Sequence, residues 1–225
     1  VWQWEELPDG IRFSLYSPDG EGGFPGNIRV ITDYRFNEDN ELSVRHYAET
    51  DCATYINMTN HAYFNLCGKG KKITEHRLHI PADRILDTTP AFIPTGKRMN
   101  VKNTPFDFTS LKPIGTDLYA DHEQLLWNKG YNHCYILKDE ISVEILEAAS
   151  LYEPVTGRKM TVMTDLPAVL LYTAGYYERP DTAVCLETQF YPDTPSHSDF
   201  PSCLVLPEKA YEHCTLFHFQ VQKEE

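Results

Sequence analysis

The sequence predicts an all-β protein, a large antiparallel β-sandwich, and three observations carry that reading. Apolar and polar residues alternate with period two through most of the chain. The alternating runs are short and are separated by turn-forming residues. Helical periodicity, with apolar positions three and four apart, is nearly absent. Many short strands at this spacing must hide their apolar faces against one another, which means sheets packed face to face.

In chain order, the first clear run is Ile28-Arg29-Val30-Ile31-Thr32-Asp33-Tyr34-Arg35-Phe36. It places Ile28, Val30, Tyr34 and Phe36 on one face and Arg29, Asp33 and Arg35 on the other. After the turn Asn37-Glu38-Asp39-Asn40, Leu42, Val44 and Ala48 repeat the pattern. Further strands are expected near residues 76–81, 133–138, 141–147, 159–164, 168–174, 183–188, 202–206 and 211–221. Turn chemistry falls at Pro18-Asp19-Gly20, Gly22-Gly23, Pro154-Val155-Thr156-Gly157 and Arg179-Pro180-Asp181. Residues 107–128 are the one stretch suited to a short helix or a long functional loop. No repeat or composition shift divides the chain, so residues 1–225 read as one domain.

A net charge of −13 repels phosphate backbones and anionic lipid, which argues against nucleic acid or a membrane as the main partner. No apolar run is long enough to span a bilayer, and the N-terminus lacks the features of a signal peptide. The six cysteines, Cys52, Cys67, Cys134, Cys185, Cys203 and Cys214, form no CxxC pair. They read as reduced thiols, most of them small core residues, in a cytoplasmic protein. The sequon Asn57-Met58-Thr59 sits in an apolar, strand-like stretch and is not expected to carry a glycan.

Two segments carry chemistry. In Asn60-His61-Ala62-Tyr63-Phe64-Asn65-Leu66, an extended chain points His61, Tyr63 and Asn65 one way and Ala62, Phe64 and Leu66 the other. The polar side can line a cleft, although the pattern equally suits a strand whose polar face meets water. In Val184-Cys185-Leu186-Glu187-Thr188-Gln189, a carboxylate sits inside an apolar strand. Desolvation there would raise its pKa toward the range of a general base, while an outward Glu on an edge strand remains the plainer alternative. His76 and His79, three apart, point to opposite faces and are not expected to share a metal. His133 reads as structural, Asp193 as a turn former, and His197 as part of a loop with no assigned role. No HExxH, GxSxG, P-loop or dinucleotide fingerprint occurs.

The segment Asn60 to Leu66 closely resembles a signature of the aldose 1-epimerases. So do Leu186-Glu187-Thr188-Gln189 with Pro192-Asp193, Gly130-Tyr131-Asn132-His133-Cys134, Tyr172-Thr173 and Gly23-Phe24-Pro25-Gly26-Asn27. The resemblance implies a galactose mutarotase-like supersandwich, of which this chain is the C-terminal two-thirds, N-terminally incomplete. It implies interconversion of the α and β anomers of a free, glucose- or galactose-like hexose. His61 would be the acid and Glu187 the base, bracketing one pyranose between them, and Asn132 would bind the substrate. No metal or organic cofactor is implied, because the sugar supplies its own carbonyl and the protein only moves protons. Two positions depart from the family pattern: Asn132 stands where an aspartate is usual, and Leu170 where a glutamine is usual. These departures suit an alternative reading, a non-catalytic carbohydrate-binding or regulatory module on the same fold. An epimerase for a phosphorylated sugar would need an arginine cluster, of which the acidic sequence gives little sign.

Overall fold

The computed structural model describes residues 1–68 and 70–222. Within them lie strands β1 (Gln3–Leu7), β2 (Gly10–Ser17), β3 (Ile28–Phe36), β4 (Glu41–Thr50), β5 (Thr54–Tyr55) and β6 (Arg77–His79). Next come β7 (Arg84–Thr88), β8 (Pro94–Asn100), β9 (Lys112–Pro113), helix α1 (Glu123–Asn128) and β10 (Asn132–Ile136). The rest are β11 (Leu146–Tyr152), β12 (Arg158–Thr164), β13 (Ala168–Tyr172), β14 (Cys185–Gln189), β15 (Leu204–Val205) and β16 (Tyr211–Val221). They build a nine-stranded sheet, β1-β2-β3-β4-β16-β12-β11-β6-β9, and a five-stranded sheet, β14-β13-β10-β7-β8. A two-stranded ladder, β15-β5, completes the described pairing, and the sheets are antiparallel as expected.

The core lies between the two large sheets. Val44, Leu78, Leu151, Met160, Val162 and Phe217 come from the nine-stranded sheet, and Ile85, Tyr135, Val169, Leu171 and Leu186 from the five-stranded one. Phe108, Ile114, Leu118 and Leu125, from the expected long connection, join the same cluster, as does Phe106 just before it. That connection holds α1, which ends on Lys129 in the left-handed region (φ 52) and Gly130 (φ 129). A Cβ at Gly130 would stand 2.6 Å from Thr173 Oγ1, so only glycine lets the chain turn here into β10. No helix among the described residues is long and apolar enough to cross a membrane. All six cysteines are free thiols.

Two expectations need correction. The run 141–147 is not a strand: Ile141, Val143 and Ile145 are exposed, and the strand is Leu146–Tyr152. The turn at 154–157 decides this. Glu153 accepts hydrogen bonds from Val155 N and Thr156 N, closing a hairpin whose register pairs Tyr152 with Lys159 and Leu146 with Thr164. Asp33 keeps the face it shares with Arg29 and Arg35 and is buried there, because Arg12 donates to both its oxygens at 2.7 and 2.8 Å. That paired guanidinium holds the Asp33 carboxyl below the usual carboxylate range. Phe36, at the end of β3, is exposed rather than inward. The β1–β2 hairpin and strands β7 and β8 extend the sheets beyond the runs read from the sequence.

Candidate active site

Strand β14 is an edge of the five-stranded sheet, and its register with β13 pairs Leu170 with Glu187 and Tyr172 with Cys185. In turn β13 pairs Tyr172 with Asn132 and Leu170 with Cys134 on β10. Directly paired residues share a sheet face, so Glu187, Cys185, Tyr172, Leu170 and Asn132 all lie on one side. The alternate residues Leu186, Leu171 and Tyr135 point into the core. The small sheet thus spends one face on the main core, while its other face carries Glu187, Tyr172 and Asn132 beside a second apolar cluster that includes Cys134, Ile136 and Ala168.

The free edge of β14 is covered by the segment that carries His61. That segment is fastened at both ends. Asn57 Nδ2 donates to Phe190 O at 3.1 Å, and Phe190 N donates to Asn57 Oδ1 at 2.9 Å. At the other end, Phe64 N donates to Val184 O at 2.8 Å and Val184 N to Phe64 O at 2.9 Å. His61 and Glu187 each fall near the middle of their span and face one another. His61 Nε2 lies 3.4 Å from Glu187 Oε1. Alternation through the segment holds: Phe64 packs on Phe217 and Leu66 is buried, while His61 and Tyr63 are exposed. Asn65 is also on the cleft side, although its amide is engaged in donating to Lys71 O and Thr182 O. Asn57 is equally committed, and a glycan on its Nδ2 would break the bond to Phe190.

Removing the Asn57 clamp should be measurable. Asn57→Ala leaves the Phe190 amide and carbonyl without their side-chain partner, at a cost of about 1–2 kcal/mol in denaturant unfolding. A change indistinguishable from zero would mean water replaces the clamp freely.

The electrostatics separate the two groups. Glu187 is 6% exposed, and desolvation raises its carboxyl pKa, only partly offset by the imidazole of His61. The His61 side chain is 48% exposed and meets solvent directly. Aromatic rings frame the imidazole, with Tyr63 at 5.1 Å between centroids and Tyr172 edge-on at 6.0 Å. Beside them opens a cleft of about 670 Å³, lined by Tyr63, Tyr177, Glu178, Arg179 and Thr182. That volume is in the range of small-molecule sites. The pair is in contact rather than on opposite sides of a hollow, so a pyranose cannot lie between the two groups. It would have to approach them edge-on.

Asn132 lies on the same sheet face, beyond Tyr172 from Cys185, and is half-buried. His133 points the other way, as expected. It is fully buried against Phe106, its Nδ1 accepts from Asn132 N, and desolvation pushes its pKa down to about 3. Asp193 adopts φ 57 and accepts from Ser196 Oγ, a turn role, and His197 packs on Phe200. His76 accepts from Leu66 N, whereas His79 pairs with Glu147. Cys185 was legible only as a core thiol. The fold brings its Sγ, His61 and Glu187 together, with one donor atom from each lying within 4.8 Å of the others. Nothing in the spacing of residues 61, 185 and 187 announces that cluster.

Comparison with known proteins agrees with the fold. A family model described as aldose 1-epimerase matches residues 1–218. The galactose mutarotase of Rattus norvegicus is 34% identical over 98% of this chain and 66% of its own length. The aldose 1-epimerase of Escherichia coli (strain K12) is 32% identical over 93% of this chain and 63% of its own. The chain therefore spans just under two thirds of these curated relatives. Among solved structures, the galactose 1-epimerase from Lactobacillus acidophilus NCFM superposes with a TM-score of 0.85 at 26% identity, covering 98% of this chain and 67% of that one. A GalM/aldose epimerase homologue from C. elegans reaches the same TM-score at 24% identity, over 98% of this chain and 68% of that one, and so speaks to the fold alone. The resemblance carried by the Asn60–Leu66 and Leu186–Gln189 motifs thus extends along the whole chain, which belongs to the aldose 1-epimerase family.

Proposed function

We propose that the protein interconverts the α and β anomers of a free hexose, with His61 as the acid and Glu187 as the base. The observation that carries this reading is the 3.4 Å approach of an exposed imidazole to a desolvated carboxylate. The ring oxygen and the anomeric hydroxyl are both bonded to C1, so an acid and a base in contact can serve both from one edge of the sugar. Protonated His61 gives its Nε2 proton to the ring oxygen while Glu187 takes the proton of the anomeric hydroxyl. The bond from C1 to the ring oxygen breaks and an aldehyde forms. Rotation about C1–C2 presents the other carbonyl face, and as the ring closes Glu187 gives its proton to the carbonyl oxygen while His61 takes back the proton of the attacking hydroxyl. No redox step is involved, and the acid and base simply exchange roles. Raising the Glu187 pKa by desolvation makes it a stronger proton acceptor than a solvated carboxylate.

Polarimetry of freshly dissolved α-galactose or α-glucose tests the reading. The protein is expected to speed the approach to the equilibrium rotation above the buffer rate. Buffer-like rates for every aldose tried would end it.

A second reading, sugar binding without turnover, is favoured by Leu170, which lies directly across from Glu187 and offers no hydrogen bond. Calorimetry showing sugar binding with no gain in anomer exchange would select it. Under either reading we assign Asn132 to a sugar hydroxyl, met through a neutral bond. Asn132→Asp makes that bond charge-assisted and should tighten sugar binding, or lower KM, by up to about tenfold. An unchanged KM and affinity would remove Asn132 from the site.

A further inference from the structure

We propose that Cys185, His61 and Glu187 form a binding site for a zinc-class divalent cation, and that the bound ion holds both proton-transfer groups out of use. The site joins three donors from two chain segments: a thiol and a carboxylate two residues apart on one face of β14, and an imidazole from the covering segment. Their donor atoms lie within 4.8 Å of one another. The His61–Glu187 separation of 3.4 Å is the edge of a tetrahedron whose metal bonds are about 2.1 Å long. Drawing the set in from a span of at most 4.8 Å to a metal–sulfur bond of about 2.3 Å takes a shift of no more than roughly 1 Å. Cys185 is fixed in the ladder with β13, so His61 on its non-strand segment supplies most of that movement.

The donor set chooses the metal. Sulfur with imidazole and one carboxylate suits zinc and its softer relatives, and is a poor cage for magnesium or calcium, which ask for oxygen ligands. The fourth position would hold water. Binding forms a metal–sulfur bond and releases the thiol proton to solvent. A ligated imidazole Nε2 can no longer carry a proton, and a ligated carboxylate is a weaker base, so occupancy and anomer exchange exclude each other. The binding claim itself needs only the three donors and stands whether or not the anomer-exchange reading does.

Cadmium is the probe, because its thiolate complex absorbs in the ultraviolet. The experiment uses the protein carrying Cys52→Ser, Cys67→Ser and Cys214→Ser, which removes the thiols that are not fully buried. Titration with Cd²⁺ should give a thiolate band saturating near one equivalent, and Zn²⁺ should displace it. Cys185→Ala should abolish the band, and His61→Gln should weaken Cd²⁺ binding about tenfold or more. Absence of the band, or its survival at full height in Cys185→Ala, overturns the proposal. Should Cys185→Ala not fold, His61→Gln decides alone, since it changes an exposed side chain and keeps the thiol; unchanged Cd²⁺ affinity there is equally fatal. Zn²⁺ inhibition of anomer exchange, relieved by a chelator, would follow if the exchange reading holds too.

Discussion

Glu187→Gln is expected to slow anomer exchange by about 10²–10⁴-fold, the usual contribution of a positioned general base. The substitution keeps shape and volume but replaces a proton acceptor with an amide that takes up no proton near neutral pH. Its effect on stability should run the other way. The carboxylate is 6% exposed in an apolar strand, and its nearest ionisable partner is an imidazole at 3.4 Å. Burying that charge costs free energy, so a neutral amide should leave the melting temperature unchanged or raise it. A variant that turns over slowly and melts no earlier is therefore the expected pair of results. Retention of more than a tenth of the rate would remove Glu187 from the role of base. A large loss of stability would instead make it a structural group.

The second large effect is on acid stability. His46, His76 and His133 are buried and accept or share hydrogen bonds with Thr32 Oγ1, Leu66 N and Asn132 N. Burial lowers their pKa values to about 4, about 4 and about 3. Neighbours modify this: His213 opposes a charge on His46 and His122 opposes one on His133, while Glu153 favours one on His76. The unfolded chain binds these protons near pH 6.5 and the folded chain does not, so stability is full above 6.5 and falls as the pH drops toward 4. At pH 5 each histidine should cost about 2 kcal/mol, and the three together about 6, which rivals the whole stability of many domains. Denaturant unfolding at pH 7 and pH 5 measures the difference. His46→Gln should remove about a third of it, and a protein equally stable at both pH values would show that these histidines already ionise in the folded state.

The fold was legible where alternation met clear turns. β3, β4, β12 and β16 fall within a residue or two of the runs read from sequence, because one face of each is buried and period two marks it. Residues 141–147 misled because Ile141, Val143 and Ile145 alternate in an exposed connection, and only the hairpin register set by Glu153 places the true strand. The burial of Asp33 was not legible because its partner Arg12 lies 21 residues away on β2, and pairing across strands is invisible in a local pattern. At the site, the desolvation of Glu187 could be read from its neighbours Cys185 and Leu186, and the raised pKa has that cause. The contact with His61, the role of Asn57 and the nearness of Cys185 could not be read. Each depends on segments more than a hundred residues apart meeting along one strand edge.

The double fastening of residues 57–64 to residues 184–190 has a mechanical consequence. Imidazole and carboxylate belong to a closed ring of chain whose joints are backbone and amide hydrogen bonds, so their spacing is set within that ring. Bending or twisting of the nine-stranded sheet carries both partners along together and leaves the gap between them nearly constant. Substrate fit can therefore vary with motions elsewhere in the molecule while the reach from donor to acceptor stays the same.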